Sequence, residues 1–200
     1  MNTYLSLLAA SLFLLGSPAQ AQPGPANYLQ VPGPILFKGV PYHLTWSSHP
    51  NSTFYKQEYL SKGENPNAFK TMLMLDVVTG HVDLNQVVAS KIAEINQQNG
   101  PNPLVKYQLS KQPATGEILL DFVMSQPAPD GRSLQIVERN VYRYKPFTSA
   151  SGQQGVLLFG VCQRSYGSDT SLFVASLKQN RTALSAEVAQ FRLPSVPMIK

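Results

Sequence analysis

From residue 53 onward the chain repeats one pattern: an apolar run of strand length, then a loop of Pro, Gly, Asn, Asp or Ser. The runs cover residues 53–60, 70–79, 104–110, 117–125, 134–144 and 156–164. They are rich in Val, Ile, Leu, Tyr and Phe, residues that fit a pleated, half-buried surface. The links at 113–116 and 127–132 are short, and short links between consecutive strands call for antiparallel pairing. A chain of this pattern has to build most of its core on an antiparallel sheet.

Two segments carry the period of a helix instead. Asp83 stands where an N-cap is expected, and Leu84, Val88, Ile92 and Ile95 follow at spacings of four, four and three with Val87 beside them. Asn99-Gly100-Pro101 supplies the stop. The second segment opens at Ser168 or Asp169 and bears Phe173, Leu177, Leu184, Val188 and Phe191 before Pro194. Asn180-Arg181 falls where an apolar residue is due, and reads as a break with Asn180 capping a second piece. The expected fold is α+β: a five- to six-stranded antiparallel sheet packed with two helices, about 83–99 and 169–192. It forms a single domain over residues 53–200. A Pro/Gly-rich arm over residues 22–52 precedes it, irregular apart from short extended pieces near 35–37 and 42–46.

The start of the chain bears on location. Residues 5–15 (LSLLAASLFLL) form an apolar run of signal-peptide length, and Ala19-Gln20-Ala21 follows as a cleavage site. The run is too short to span a bilayer as a helix. Residues 1–21 are therefore expected to be removed, placing a chain that starts at Gln22 in the periplasm or outside the cell. No Cys stands near the cleavage site to take a lipid. The only cysteine is Cys162, so no intrachain disulfide exists and the core alone must hold the fold. That absence suggests a bacterial protein. Cys162 ends the run Val156 to Cys162 and reads as an inert core residue, with a reactive thiol or an intermolecular bridge as alternatives.

The net charge of +5 is unevenly spread. Residues 22–131 carry seven Lys/Arg against eight Asp/Glu, and residues 132–200 carry nine against three. The basic portion suits an envelope partner or an anionic envelope ligand, and export argues against nucleic acid. Nothing in the sequence implies a cofactor, a metal or a catalytic residue. G-x-S-x-G, H-E-x-x-H and Cys-x-x-Cys are all absent, and His43, His49 and His81 lie at spacings that demand no metal.

The positive signal is charge inside apolar strands. Asp76 interrupts Met72 to Val78, and Asp121 interrupts Ile118 to Met124. Arg139, Val141, Arg143 and Lys145 share one face by period two, opposite Tyr142 and Tyr144, while Arg164 shares a face with Gly160 and Cys162. The simplest arrangement gathers Asp76, Glu117, Asp121, Arg139, Arg143 and Arg164 on a sheet face that the helices leave open. Such a face is either a solvated field of cross-strand ion pairs or a groove for an anionic ligand, with Arg139 and Arg143 as forked donors. Tyr42, Trp46, Phe54, Tyr55 and Tyr59 are clustered in sequence and form a candidate aromatic surface, or part of the core.

The element order over residues 53–193 resembles that of the PsbP/Mog1-like α/β sandwich. The segments Ser47-Ser48-His49-Pro50, Tyr55 to Leu60 and Gly63-Glu64 resemble small exported bacterial proteins of unassigned function. The first resemblance implies a binding or assembly factor without an active site. The expected function is a non-enzymatic binding or accessory domain at the bacterial envelope. The alternatives are an envelope-polymer hydrolase using Asp76/Asp121 or Cys162 with a His, and a structural subunit of an envelope assembly.

Overall fold

The structure is a computed structural model that describes residues 24–98 and 104–198. The expected signal peptide lies outside the described residues. The strands are β1 (Ile35–Phe37), β2 (Val40–Asn51), β3 (Phe54–Ser61), β4 (Thr71–Thr79), β5 (Lys106–Gln112), β6 (Glu117–Pro127), β7 (Leu134–Thr148) and β8 (Gln154–Tyr166). The helices are α1 (Leu84–Gln97), α2 (Thr170–Gln179) and α3 (Ala183–Gln190). All eight strands join one antiparallel sheet in the order β1-β2-β3-β4-β8-β7-β6-β5.

This corrects the expectation of five to six strands and two helices. The six strands read from residue 53 onward are all present, and the two extra ones come from the Pro/Gly-rich arm. Pro41 and Pro50 lie near the two ends of β2, positions where a missing N–H is tolerated. The third helix arises at Asn180, which caps the end of α2 and does not open the next segment; Thr182 precedes α3. At the first helix, the Asp83 side chain accepts a hydrogen bond from the Asn85 N–H at 2.8 Å, as its sequence position foretold.

The helices lie on opposite faces of the sheet. Val88 and Ile95 of α1 pack on Leu60, Met72, Leu120, Phe122, Tyr144 and Leu158. Leu184 and Val188 of α3 pack on Tyr59, Leu73, Leu75, Val141, Phe159 and Val161, joined by Leu29, Val31 and Phe37 from the arm and Met198 from the tail. The arm is also pinned by a polar clamp. Buried Gln57 donates to Asn27 Oδ1 at 3.0 Å and accepts from the Tyr59 hydroxyl at 2.9 Å. Gly160 permits close packing on the α1 face, because a Cβ there would meet the Tyr142 ring at 3.0 Å.

Candidate functional site

The pairing register decides which charged residues meet. Arg139 and Arg143 stand opposite Val123 and Leu119 of β6, and Asp121 stands opposite Val141 of β7. Asp121, Glu117, Arg139 and Arg143 thus share one face, and it is the face covered by α2 and α3. Asp76 and Arg164 are on the α1 face, since Asp76 pairs with Leu158 of β8 and Arg164 shares the parity of Cys162. Asp76 and Arg164 are themselves six residues apart along the β4–β8 ladder, about 20 Å. The expected single open face therefore does not exist: its residues split between two faces, and the larger group is roofed by helices.

Under α2 and α3 the charges are fully engaged. Arg139 is buried, with 4% of its surface exposed. Its Nε and Nη2 donate to the two Asp121 oxygens at 3.1 and 2.7 Å, and Nη2 also donates to the Arg181 carbonyl at 2.5 Å. The Ser185 hydroxyl donates to Asp121 Oδ2. Arg143 Nε donates to Glu117 at 2.8 Å, and its Nη1 donates to the Val188 and Phe191 carbonyls at 3.3 and 2.8 Å. Those carbonyls belong to the end of α3, which has no helical donor left for them. A cation there also complements the helix dipole. Two strand arginines thus hold the α2–α3 link and α3 to the sheet.

Beside this cluster a cleft of about 430 Å³ opens between α2 and the outer strands. Its floor is Asp121, Val123 and Arg139, and its helical wall is Val174 and Leu177. Lys106 on β5, Lys178 on α2 and Arg181 in the α2–α3 link also line it, all three exposed. Arg139 balances Asp121, so the three rim cations are uncompensated within the cleft. Its net field is positive. Lys106, Lys178 and Arg181 were absent from the sequence reading. The excess of basic residues after position 131 was the signal for two of them, but their convergence with Lys106 depends on strand order.

The α1 face holds a different arrangement. Asp76 Oδ1 is buried without a hydrogen-bond partner. Burial pushes the carboxyl up to about 7; Lys56 and Lys91 oppose that shift and Glu58 adds to it. Neither lysine forms an ion pair with Asp76. Lys91 binds Glu94 at 2.9 Å, and the Lys56 ammonium lies 5.8 Å from the Phe54 ring centroid. Burial also raises Glu58. Arg164 pairs with Glu138, its guanidinium 4.2 Å from the Phe69 ring centroid.

The aromatic candidates divide as well. A bulge between Leu44 and Trp46 turns Trp46 to the α1 face, opposite Glu58, with 41% of its surface exposed. Tyr55 stacks on His49 at 4.1 Å on the other face, and Tyr59 is buried there at 1% exposure. No common aromatic surface results.

The two carboxylates of the hydrolase alternative are not brought together. Asp76 and Asp121 project from opposite sides of the sheet. Cys162 is buried, burial holds its thiol well above the ordinary range, and its hydrogen-bond partner is Met74 Sδ at 3.4 Å. His43, on the same transverse row, lies three strands away, about 14 Å. No group of three or more His, Cys, Asp and Glu side chains placed to hold a metal occurs among the described residues. No helix among them is long and apolar enough to cross a membrane.

The chain belongs to an uncharacterised protein family, whose model matches residues 29–193. That span runs from the buried arm residue Leu29 through every strand and helix to the segment after α3. No curated protein and no solved structure matches the chain.

Proposed function

We propose that this protein is a non-enzymatic, exported binding module of the bacterial envelope, and that its ligand is an anion held in the cleft between α2 and the outer strands. One observation carries the reading: Lys106, Lys178 and Arg181 converge on a cleft whose only carboxylate is already matched by Arg139. Like charges brought together on a folded surface raise each other's energy, and an anion relieves that repulsion. The half-apolar lining from Leu177, Val174 and Val123 would strengthen the interaction by excluding water. Export rests on the apolar run at residues 5–15 and the Ala19-Gln20-Ala21 site. The PsbP/Mog1-like resemblance of element order is part of this reading, since it too points to a binding or accessory role.

The rim residues test the proposal without disturbing the fold. Wild-type protein should bind tripolyphosphate, with an affinity that falls as salt rises. The double variant Lys178→Ala/Arg181→Ala should lose about tenfold in affinity or more, roughly 1.4 kcal/mol. Equal affinity in the two proteins would remove the cleft as the binding site. Export is checked separately: the protein recovered outside the cytoplasm should begin at Gln22.

A further inference from the structure

The cleft lies beside one margin of the sheet that no strand of the described residues covers. Among the described residues β5 is an edge strand that pairs only with β6, and all seven of its residues are exposed. In an antiparallel ladder every second residue of an edge strand turns its N–H and C=O outward, where they can pair with another extended chain. At the opposite edge β1 covers only Val40–Tyr42 of β2, and the rest of β2 is broken by irregularities between Leu44 and Trp46 and between Ser48 and Asn51, which blunt it as a template for a regular added strand.

The two sides of β5 differ in chemistry. Tyr107 and Leu109 pair with Phe122 and Leu120 and stand on the α1 side, with 44% and 38% of their surfaces exposed. Lys106 and Gln108 pair with Val123 and Asp121 and stand on the cleft side, near Lys178 and Arg181. A strand added outside β5 would continue this alternation, because its side chains also point to the two faces in turn. Those over the cleft would stand on the side of Lys106, Lys178 and Arg181. Those on the other side would meet Tyr107 and Leu109, with Lys111 beyond them.

We infer that the ligand of this cleft is an extended acidic polypeptide segment that adds as a ninth strand along β5, with carboxylates at every second position and apolar residues between them. The inference rests on the anion-binding reading and narrows it. Lysines on an edge strand also serve to discourage pairing with other strands. That repulsion does not apply to an acidic strand, and Lys111 is in any case held by Asn85 Oδ1 at 3.0 Å. Backbone pairing supplies affinity and the alternating side chains supply specificity, the general logic of strand addition.

The experiment uses the full protein and three probes: a peptide of about nine residues alternating Glu and Val, a peptide of the same composition with its glutamates contiguous, and tripolyphosphate. The alternating peptide should bind about tenfold tighter than the contiguous one and slow amide hydrogen exchange across Lys106–Gln112. Methylating every second amide nitrogen of the peptide should abolish its binding in one register and not in the other. Equal binding of both peptides without slowed exchange on β5, alongside tripolyphosphate binding, would overturn strand addition and leave the cleft reading standing. No binding of any probe would overturn both.

Discussion

Asp121 and Asp76 begin alike, each a single acid set in the middle of an apolar strand, and they end in opposite circumstances. Asp121 receives two bonds from Arg139 and one from Ser185, under the roof of α2 and α3. Asp76 has one buried oxygen with no partner, and the two lysines within its field are engaged elsewhere. The first site uses its charges to hold α3 and the link before it in place. The second keeps a carboxyl whose proton stays on up to about pH 7. The lesson is that a charge within a strand says nothing by itself; what faces it across the ladder and above the sheet decides whether it becomes a fastener or a titrating group.

The largest effect should come from breaking the fastened pair. Arg139→Met leaves Asp121 and the Arg181 carbonyl without their main donor in a buried site. The expected loss is about 3–5 kcal/mol of unfolding free energy, read from urea denaturation. The double variant Asp121→Leu/Arg139→Met removes both charges and should recover most of that loss. If the single variant loses under about 1 kcal/mol, the pair is not a buried fastener. Arg143→Lys is the milder version: it keeps the charge but not the fork that reaches both Glu117 and the end of α3, and should cost about 1–2 kcal/mol.

Asp76 should show itself through pH. Its carboxyl is raised in the folded chain, so between pH 4 and 7 the folded state binds a proton that the unfolded state has released. Stability from this group is full below the unfolded value of 3.8 and is lost as pH rises through about 7. Burial dominates the shift, with the fields of Lys56, Glu58 and Lys91 superimposed on it. Asp76→Asn cannot ionise. It should match the wild type only below about pH 4, and its advantage over the wild type should grow by about 2–3 kcal/mol between pH 5 and pH 8. Parallel curves for the two proteins across that range would show that Asp76 is ionised in the fold throughout.

The parts of this contrast that were legible in the sequence are those set by local period. The parity of β7 placed Arg139 and Arg143 together and Tyr142 and Tyr144 opposite. The Asp83 cap and the stripe at Leu84, Val88, Ile92 and Ile95 marked α1. What could not be read was the relation between one strand's faces and another's. Asp76 and Asp121 look equivalent until register and strand order place them on opposite sides. Trp46 shows the same limit on a smaller scale: one bulge residue, Thr45, reverses its side relative to Leu44. β2 was hidden because its prolines looked like breakers, although they occupy the tolerated positions near its ends. The side of the sheet chosen by each helix was also out of reach, since an amphipathic stripe specifies burial and not the surface that provides it.

The smallest stability effect belongs to the cleft rim, and it sharpens the same comparison. Arg181 contributes to the fastened cluster through its backbone carbonyl, which accepts from Arg139. Its side chain and that of Lys178 are exposed and form no ion pair among the described residues. Lys178→Ala/Arg181→Ala should therefore leave the Asp121–Arg139 pair and the carbonyl bond untouched. The expected change in unfolding free energy is within about 0.5 kcal/mol of zero, and removing mutual repulsion gives it a stabilising sign at low salt. A loss of stability comparable to that of Arg143→Lys would place these cations among the groups that hold α3 down. The same variant's weaker binding of tripolyphosphate would then report a disturbed fold, whereas binding lost at unchanged stability separates the group that recognises from the group that fastens.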